Sequence, residues 1–273
     1  IYIAGHRDAP TLAAALERLE TGPDTVTELS GTAHLRGKPR PRIRGSLRGS
    51  HLAYEPLDFG SFNATFRLVD SDLKWALTDT RLCGGDISVT GLHNNFFGTG
   101  KLDAEAEDVA LSALIAQLQG RSYEKDLGQL NGEASVDMYR RGDDEPWQLE
   151  GGGEVRVRKG NLWELPVLDA LAKTLGLGAL GRITSLDAQL QFVGDKLKVT
   201  GAETDGTILA LTGSGVYEWP TDKINFKVYG QALKGTSLVP TVLRPVSWML
   251  EAELSGTIQD YQWRSLGPLR RML

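Results

Sequence analysis

The residues of this chain able to hold a phosphate, a metal or a nucleotide are few, and their spacing argues against each chemistry. Gly176, Gly178 and Gly181 match the GxGxxG dinucleotide fingerprint. That motif works when a strand delivers the glycine turn and a helix N-terminus then faces the pyrophosphate. Here a helical apolar pattern precedes the glycines and strand alternation follows, so they read as helix-ending glycines. Gly98-Thr99-Gly100-Lys101 resembles part of a phosphate loop, but Asn95 stands where its first glycine belongs and Leu102 replaces the metal-binding hydroxyl. His6, His34, His51 and His93 show no HxxxH or HExxH spacing. Asp143-Asp144-Glu145, between Gly142 and Pro146, reads as a solvated hairpin loop, because calcium needs more oxygen ligands at set spacing. The lone Cys83 excludes an internal disulfide framework and a multi-cysteine zinc site. No Ser/His/Asp or Cys/His grouping stands out. The expectation is a protein that is not an enzyme, with no cofactor and no metal.

One basic cluster remains: Arg36, Lys38, Arg40, Arg42, Arg44 and Arg48, all at even positions, which an extended chain sets on one face. Pro39 and Pro41 bar a central strand but allow an edge. Two readings stand: a charged edge that resists sheet-to-sheet aggregation, or contact with anionic headgroups, for which Arg40, Arg42 and Arg44 are the candidates. The net charge of −5, with both signs interspersed, gives no reason to expect nucleic acid.

The elements that must position any site are strands. Seven segments repeat an aliphatic residue, a variable residue and a glycine, ending at Gly31, Gly49, Gly91, Gly132, Gly201, Gly213 and Gly256. Around them the apolar period is two, which lines one sheet face with every second side chain. With glycine expected at the bends, the pattern predicts a mainly β fold: a long, twisted antiparallel sheet. Phe62, Ala64, Phe66 and Leu68 share one face, as do Leu73, Trp75 and Leu77, then Leu186, Ala188, Leu190 and Phe192, then Ile224, Phe226 and Val228. Turns are expected at Asp70-Ser71-Asp72, Gly194-Asp195 and Pro220-Thr221-Asp222. Three or four short amphipathic helices are expected at 9–21, 112–118, 165–175 and 237–243. The last three each follow a strand, in repeats over 101–120, 154–176 and 226–244. Gly151-Gly152-Gly153 reads as a bulge or tight turn rather than a linker, so residues 1–273 are expected to form one continuous domain. No apolar run approaches the length of a membrane span.

Such an apolar face is either a core packed by other elements or the open floor of a groove that holds an apolar ligand. Residues 154–162, Leu165-Pro166-Val167-Leu168, the stretch 183–188 and the ending 250–258 with Trp263 occur in an order that resembles the C-terminal region of AsmA-like proteins, relatives of TamB and YhdP of the Gram-negative envelope. The resemblance covers about half the chain, from Gly153 onward. It implies a long curved, taco-like β groove with an apolar floor that lines a route for phospholipid acyl chains, residence in the periplasm, and an inner-membrane anchor. It also implies envelope protein partners and a role in outer-membrane lipid homeostasis, and it supplies no catalytic residue. The chain opens on Ile1 rather than Met, as a processed product would, and the anchor is expected outside it. Strands spaced at about 4.8 Å would make a groove of only roughly 70–90 Å, one segment of a bridge. The groove-lining candidates are Phe62, Phe66, Leu68, Trp75, Leu77, Leu190, Phe192, Phe226 and Val228. The rival reading is a structural or protein-interaction β module with a closed core.

Overall fold

The computed structural model describes residues 19–32, 42–54, 56–94, 98–120, 125–140, 147–174, 183–206, 209–232 and 249–266. The fold is mainly β, and the strand pairings are antiparallel. Two compact units are present: residues 1–123 with 134–147, and residues 124–133 with 148–273.

In the first unit the strands are β1 (Leu19–Thr21), β2 (Val26–Thr32), β3 (Arg42–Gly49), β4 (Leu52–Tyr54), β5 (Leu57–Phe59), β6 (Phe62–Val69), β7 (Asp72–Leu82), β8 (Gly85–Asn94) and β9 (Thr99–Ala110). The ladder runs β2, β3, β6, β7, β8, β9, while β1, β4 and β5 form a short flap that joins β7 through Phe59 opposite Leu82. Helix α1 (Leu111–Gln119) follows β9 directly. It ends at Gly120, whose φ of 60° is left-handed and suits a residue without Cβ. The Gln117 side-chain amide accepts from the Asp58 N–H at 3.1 Å and donates to the Asp58 carbonyl at 3.3 Å. It thereby imitates a peptide unit and occupies the outer edge of β5. Leu52, Leu82, Val109 and Leu111 are buried at this end of the unit.

Strand β10 (Gln129–Tyr139) contributes residues to both units. The second unit continues with β11 (Gln148–Arg158), β12 (Ile183–Gly194), β13 (Lys196–Gly206), β14 (Leu209–Glu218), β15 (Lys223–Ala232), β16 (Met249–Thr257) and β17 (Tyr261–Ser265), each paired with the next. After β11 come a 3-10 turn (Leu162–Glu164) and helix α2 (Pro166–Thr174). The Trp263 indole N–H donates to the Val167 carbonyl at 2.8 Å and ties α2 to β17. Leu127, Leu162, Leu171 and Ile183 are fully buried here.

Several expectations are corrected. Helices are fewer than expected: two α-helices occur among the described residues, at 111–119 and 166–174, and residues 237–243 lie outside them. Of the expected helix 9–21, residues 9–18 also lie outside, and residues 19–21 are strand β1, paired with β4. Gly151, Gly152 and Gly153 form neither bulge nor turn; they pair in unbroken register with Phe192, Gln191 and Leu190. The turns at 70–71, at Asp195 and at 219–222 fall where expected.

Candidate functional site

Register builds an apolar face in each unit, strand by strand. In the first unit one row across the ladder reads Leu29, Gly45, Phe66, Trp75, Gly91, Leu102. The row on one side reads Gly31, Ile43, Leu68, Leu73, His93, Gly100, and the row on the other reads Thr27, Leu47, Ala64, Leu77, Val89, Ala104. In the second unit the corresponding rows are Gly153, Leu190, Val199, Gly215, Phe226, Leu254, Trp263, and Gly151, Phe192, Leu197, Tyr217, Ile224, Gly256, Tyr261. Val228 lies one row further on, between Gly213 and Ala252. A register shift in β12 and β13 between Gln189 and Leu190 keeps these rows apolar by absorbing Thr200.

The nine groove candidates therefore divide between the units. Phe62, Phe66, Leu68, Trp75 and Leu77 share the apolar face of the first, and Leu190, Phe192, Phe226 and Val228 share that of the second. Phe62 is buried, with 3% of its surface exposed; the other eight are half-buried. A closed core holds large apolar side chains almost wholly out of water. These side chains are partly wet, although helix α2 meets the apolar face of the second unit at Trp263, next to Leu254 and Phe226 in the row.

The glycines explain how such a face stays level. The repeat glycines are not at bends, as expected, but inside strands or at a strand's last residue. Two of them, Gly49 and Gly91, and two further strand glycines, Gly45 and Gly215, lie against aromatic rings. A Cβ on Gly45 would stand 2.5 Å from Phe66 Cζ, and one on Gly49 2.9 Å from Phe62 Cε1. A Cβ on Gly91 would collide with the Trp75 indole, and one on Gly215 with the Phe226 ring. Phe62, Phe66, Trp75 and Phe226 thus each lie over a glycine of an adjacent strand. Gly201 is different, with no heavy atom within 4 Å of an added Cβ.

The opposite faces carry the charge. Arg42, Arg44 and Arg48 of β3 alternate with Ile43, Gly45 and Leu47, so the two headgroup candidates Arg42 and Arg44 lie on the face away from Phe66, and Arg40 lies outside the described residues. Arg44 donates to Ser30 Oγ at 3.0 Å, and Arg48 faces Glu28 at 3.5 Å. Sequence reasoning missed that Arg44 stands directly opposite Arg67, and Arg67 directly opposite Lys74. The signal was present in the hairpin turn at 70–71, which fixes the β6–β7 register, but the β3–β6 pairing has no comparable local marker. In the second unit, signs alternate: Lys196, Glu218, Lys223 in one row and Lys227, Glu253, Arg264 in another. Lys196 to Glu218 is 2.6 Å and Arg264 to Glu253 is 2.5 Å. The Lys196 ammonium holds the Glu218 carboxyl below its usual range, and the bond raises Lys196 in turn.

Cys83 sits in the two-residue turn between β7 and β8, and burial pushes its thiol pKa up, away from the reactive thiolate. His51 meets Asp58 at 3.0 Å, and the Asp58 carboxylate adds to the rise of the Cys83 thiol pKa; His93 packs edge-on against Trp147. Among the described residues no three His, Cys, Asp or Glu side chains gather to hold a metal, and no helix is long and apolar enough to cross a membrane. Gly98-Thr99-Gly100 opens strand β9, while residues 143–145 and 176–181 lie outside the described residues. Family models, curated proteins and solved structures were compared with the chain, and none matches it.

Proposed function

We propose that each unit curves its sheet into a trough and binds lipid acyl chains on its apolar face, as a non-catalytic segment of a cell-envelope protein that holds or conducts phospholipid. The observation that carries this reading is the partial exposure of eight large apolar side chains set in register on the two faces. Each CH₂ laid against such a face gains about 0.8 kcal/mol, with the headgroup left in water. The resemblance to AsmA-like proteins supports the same substrate, a periplasmic place, an inner-membrane anchor outside this chain, and envelope protein partners. A protein-interaction module is favoured by one observation: all seven residues of β2 are exposed.

The test is native mass spectrometry of purified protein with extraction of any bound lipid. Phospholipid should copurify, and Phe66→Asp with Phe192→Asp should lose it while circular dichroism stays that of the parent. A parent protein free of lipid, or a folded double variant that keeps its load, would end the proposal.

A further inference from the structure

The outer face of the first unit holds a row that local stability does not explain. Ser30, Arg44, Arg67, Lys74, Leu92 and Lys101 follow one another across β2, β3, β6, β7, β8 and β9. Three cations are directly opposite in succession, with Cβ atoms about 5 Å apart, an arrangement that destabilises a sheet. Arg42 stands on the same face, two residues from Arg44. Arg42, Arg67 and Lys74 are exposed and have no hydrogen-bond or ion-pair partner among the described residues. Lys101 is paired with Asp103 at 3.3 Å, and Asp72 is held by the Asn94 amide at 2.5 Å. The chain as a whole is acidic, at −5, so this concentration of unneutralised positive charge is local.

Apolar side chains stand among the cations. Leu92, 40% exposed, falls in register between Lys74 and Lys101, and Val26, 57% exposed, faces Arg48. Cations interleaved with exposed aliphatic groups on an extended surface suit the boundary between headgroups and acyl chains. The three outer rows that run from β2 to β9 contain no aromatic side chain, so they lack the stacking platforms that single-stranded nucleic acid uses.

We infer that this face docks on an anionic phospholipid bilayer, with Arg44, Arg67 and Lys74 on the headgroup phosphates and Leu92 at the acyl boundary. The surface is opposite to the apolar face of the same unit, so docking does not depend on acyl binding. The experiment is cosedimentation of the whole chain with vesicles of phosphatidylcholine alone or with roughly one-third phosphatidylglycerol. Binding is expected only to the anionic vesicles and should vanish as salt rises towards about 0.5 M. Arg67→Glu with Lys74→Glu should weaken it on the order of tenfold or more. The same charge change placed in the second unit, Lys198→Glu with Lys227→Glu, should leave most of it. Equal binding to both vesicles, equal loss in the two double variants, or displacement of vesicles by a single-stranded oligonucleotide would each overturn the inference. Thermal unfolding guards against a folding fault: the double reversal turns the Arg44–Arg67 repulsion into attraction and keeps one like-charge pair between positions 67 and 74, so Tm should stay near or above that of the parent. Copurified lipid in that variant should match the parent, which separates this result from the fate of the acyl-binding proposal.

Discussion

The two units solve the inner face alike and the outer face differently. Inside, both set rings over glycines: Phe66 over Gly45 and Trp75 beside Gly91 in the first, Phe226 over Gly215 in the second. Outside, the second unit places Glu218 between Lys196 and Lys223 and Glu253 between Lys227 and Arg264, so each carboxylate is flanked by cations. The first unit places Arg67 where those glutamates stand, between Arg44 and Lys74. The charges of the second unit are accounted for by the sheet itself. Those of the first unit add repulsion to the isolated protein, which an external anion would relieve.

The shared half of this comparison can be broken at its glycines. Gly45→Val or Gly215→Val should destabilise the protein by about 1–3 kcal/mol through overpacking against Phe66 or Phe226, read from urea midpoints. Gly201→Val is the control, where a side chain meets open space; its effect should be near zero or slightly stabilising. Equal losses at all three sites would mean that the rings do not depend on the missing side chains. Next in size is Trp263→Phe, which removes the bond to Val167 and leaves that carbonyl without its donor. It should cost about 1 kcal/mol and loosen α2, seen as faster amide exchange over residues 166–174.

The unlike half is sharpened by exchanging one central charge in each unit. Arg67→Glu gives the first unit an alternating row and should stabilise it by about 0.2–1 kcal/mol. Glu253→Lys gives the second unit three cations in a row and should destabilise it by a similar amount. Effects of the same sign would remove the contrast. The smallest effect expected is with pH. Glu218 has its folded pKa depressed by Lys196, and Asp103 has its own depressed by the Ser135 hydroxyl. A depressed carboxylate stabilises above its unfolded pKa, and that contribution is lost as pH falls through the folded value. Acidification below about pH 4 should therefore lower Tm slightly in both units. Both carboxylates are exposed, which keeps the change small.

Much of this was legible in the chain. Alternation assigned Phe62, Phe66, Leu68, Trp75 and Leu77 to one face and Leu190 and Phe192 to another, because a period of two survives without any knowledge of partners. Helices 111–119 and 166–174 were visible for the same reason, through Leu rows at helical spacing. What sequence does not carry is the neighbour across the ladder. Gly45 belongs to none of the seven repeats, yet Phe66 covers it; Gly91 belongs to one, and lies inside β8 under Trp75 rather than at the expected bend. Arg44, Arg67 and Lys74 are scattered over two hairpins and become neighbours only through the pairings of β3, β6 and β7. The even-numbered arginines read either as a charged edge or as headgroup contacts, and the parity that groups them sets Arg42, Arg44 and Arg48 on the reverse side from Phe66.

A ring settled over a glycine fills the hollow that the absent side chain leaves. Where large and small residues sit side by side across a ladder, ridges and notches of the usual pleat are evened out, and the surface has little corrugation. A hydrocarbon lying on such a floor gains contact everywhere and registry nowhere. If the face binds acyl chains as proposed, it would grip them without indexing them, and chains differing in length by a methylene or two should be held and should slide with little discrimination among them.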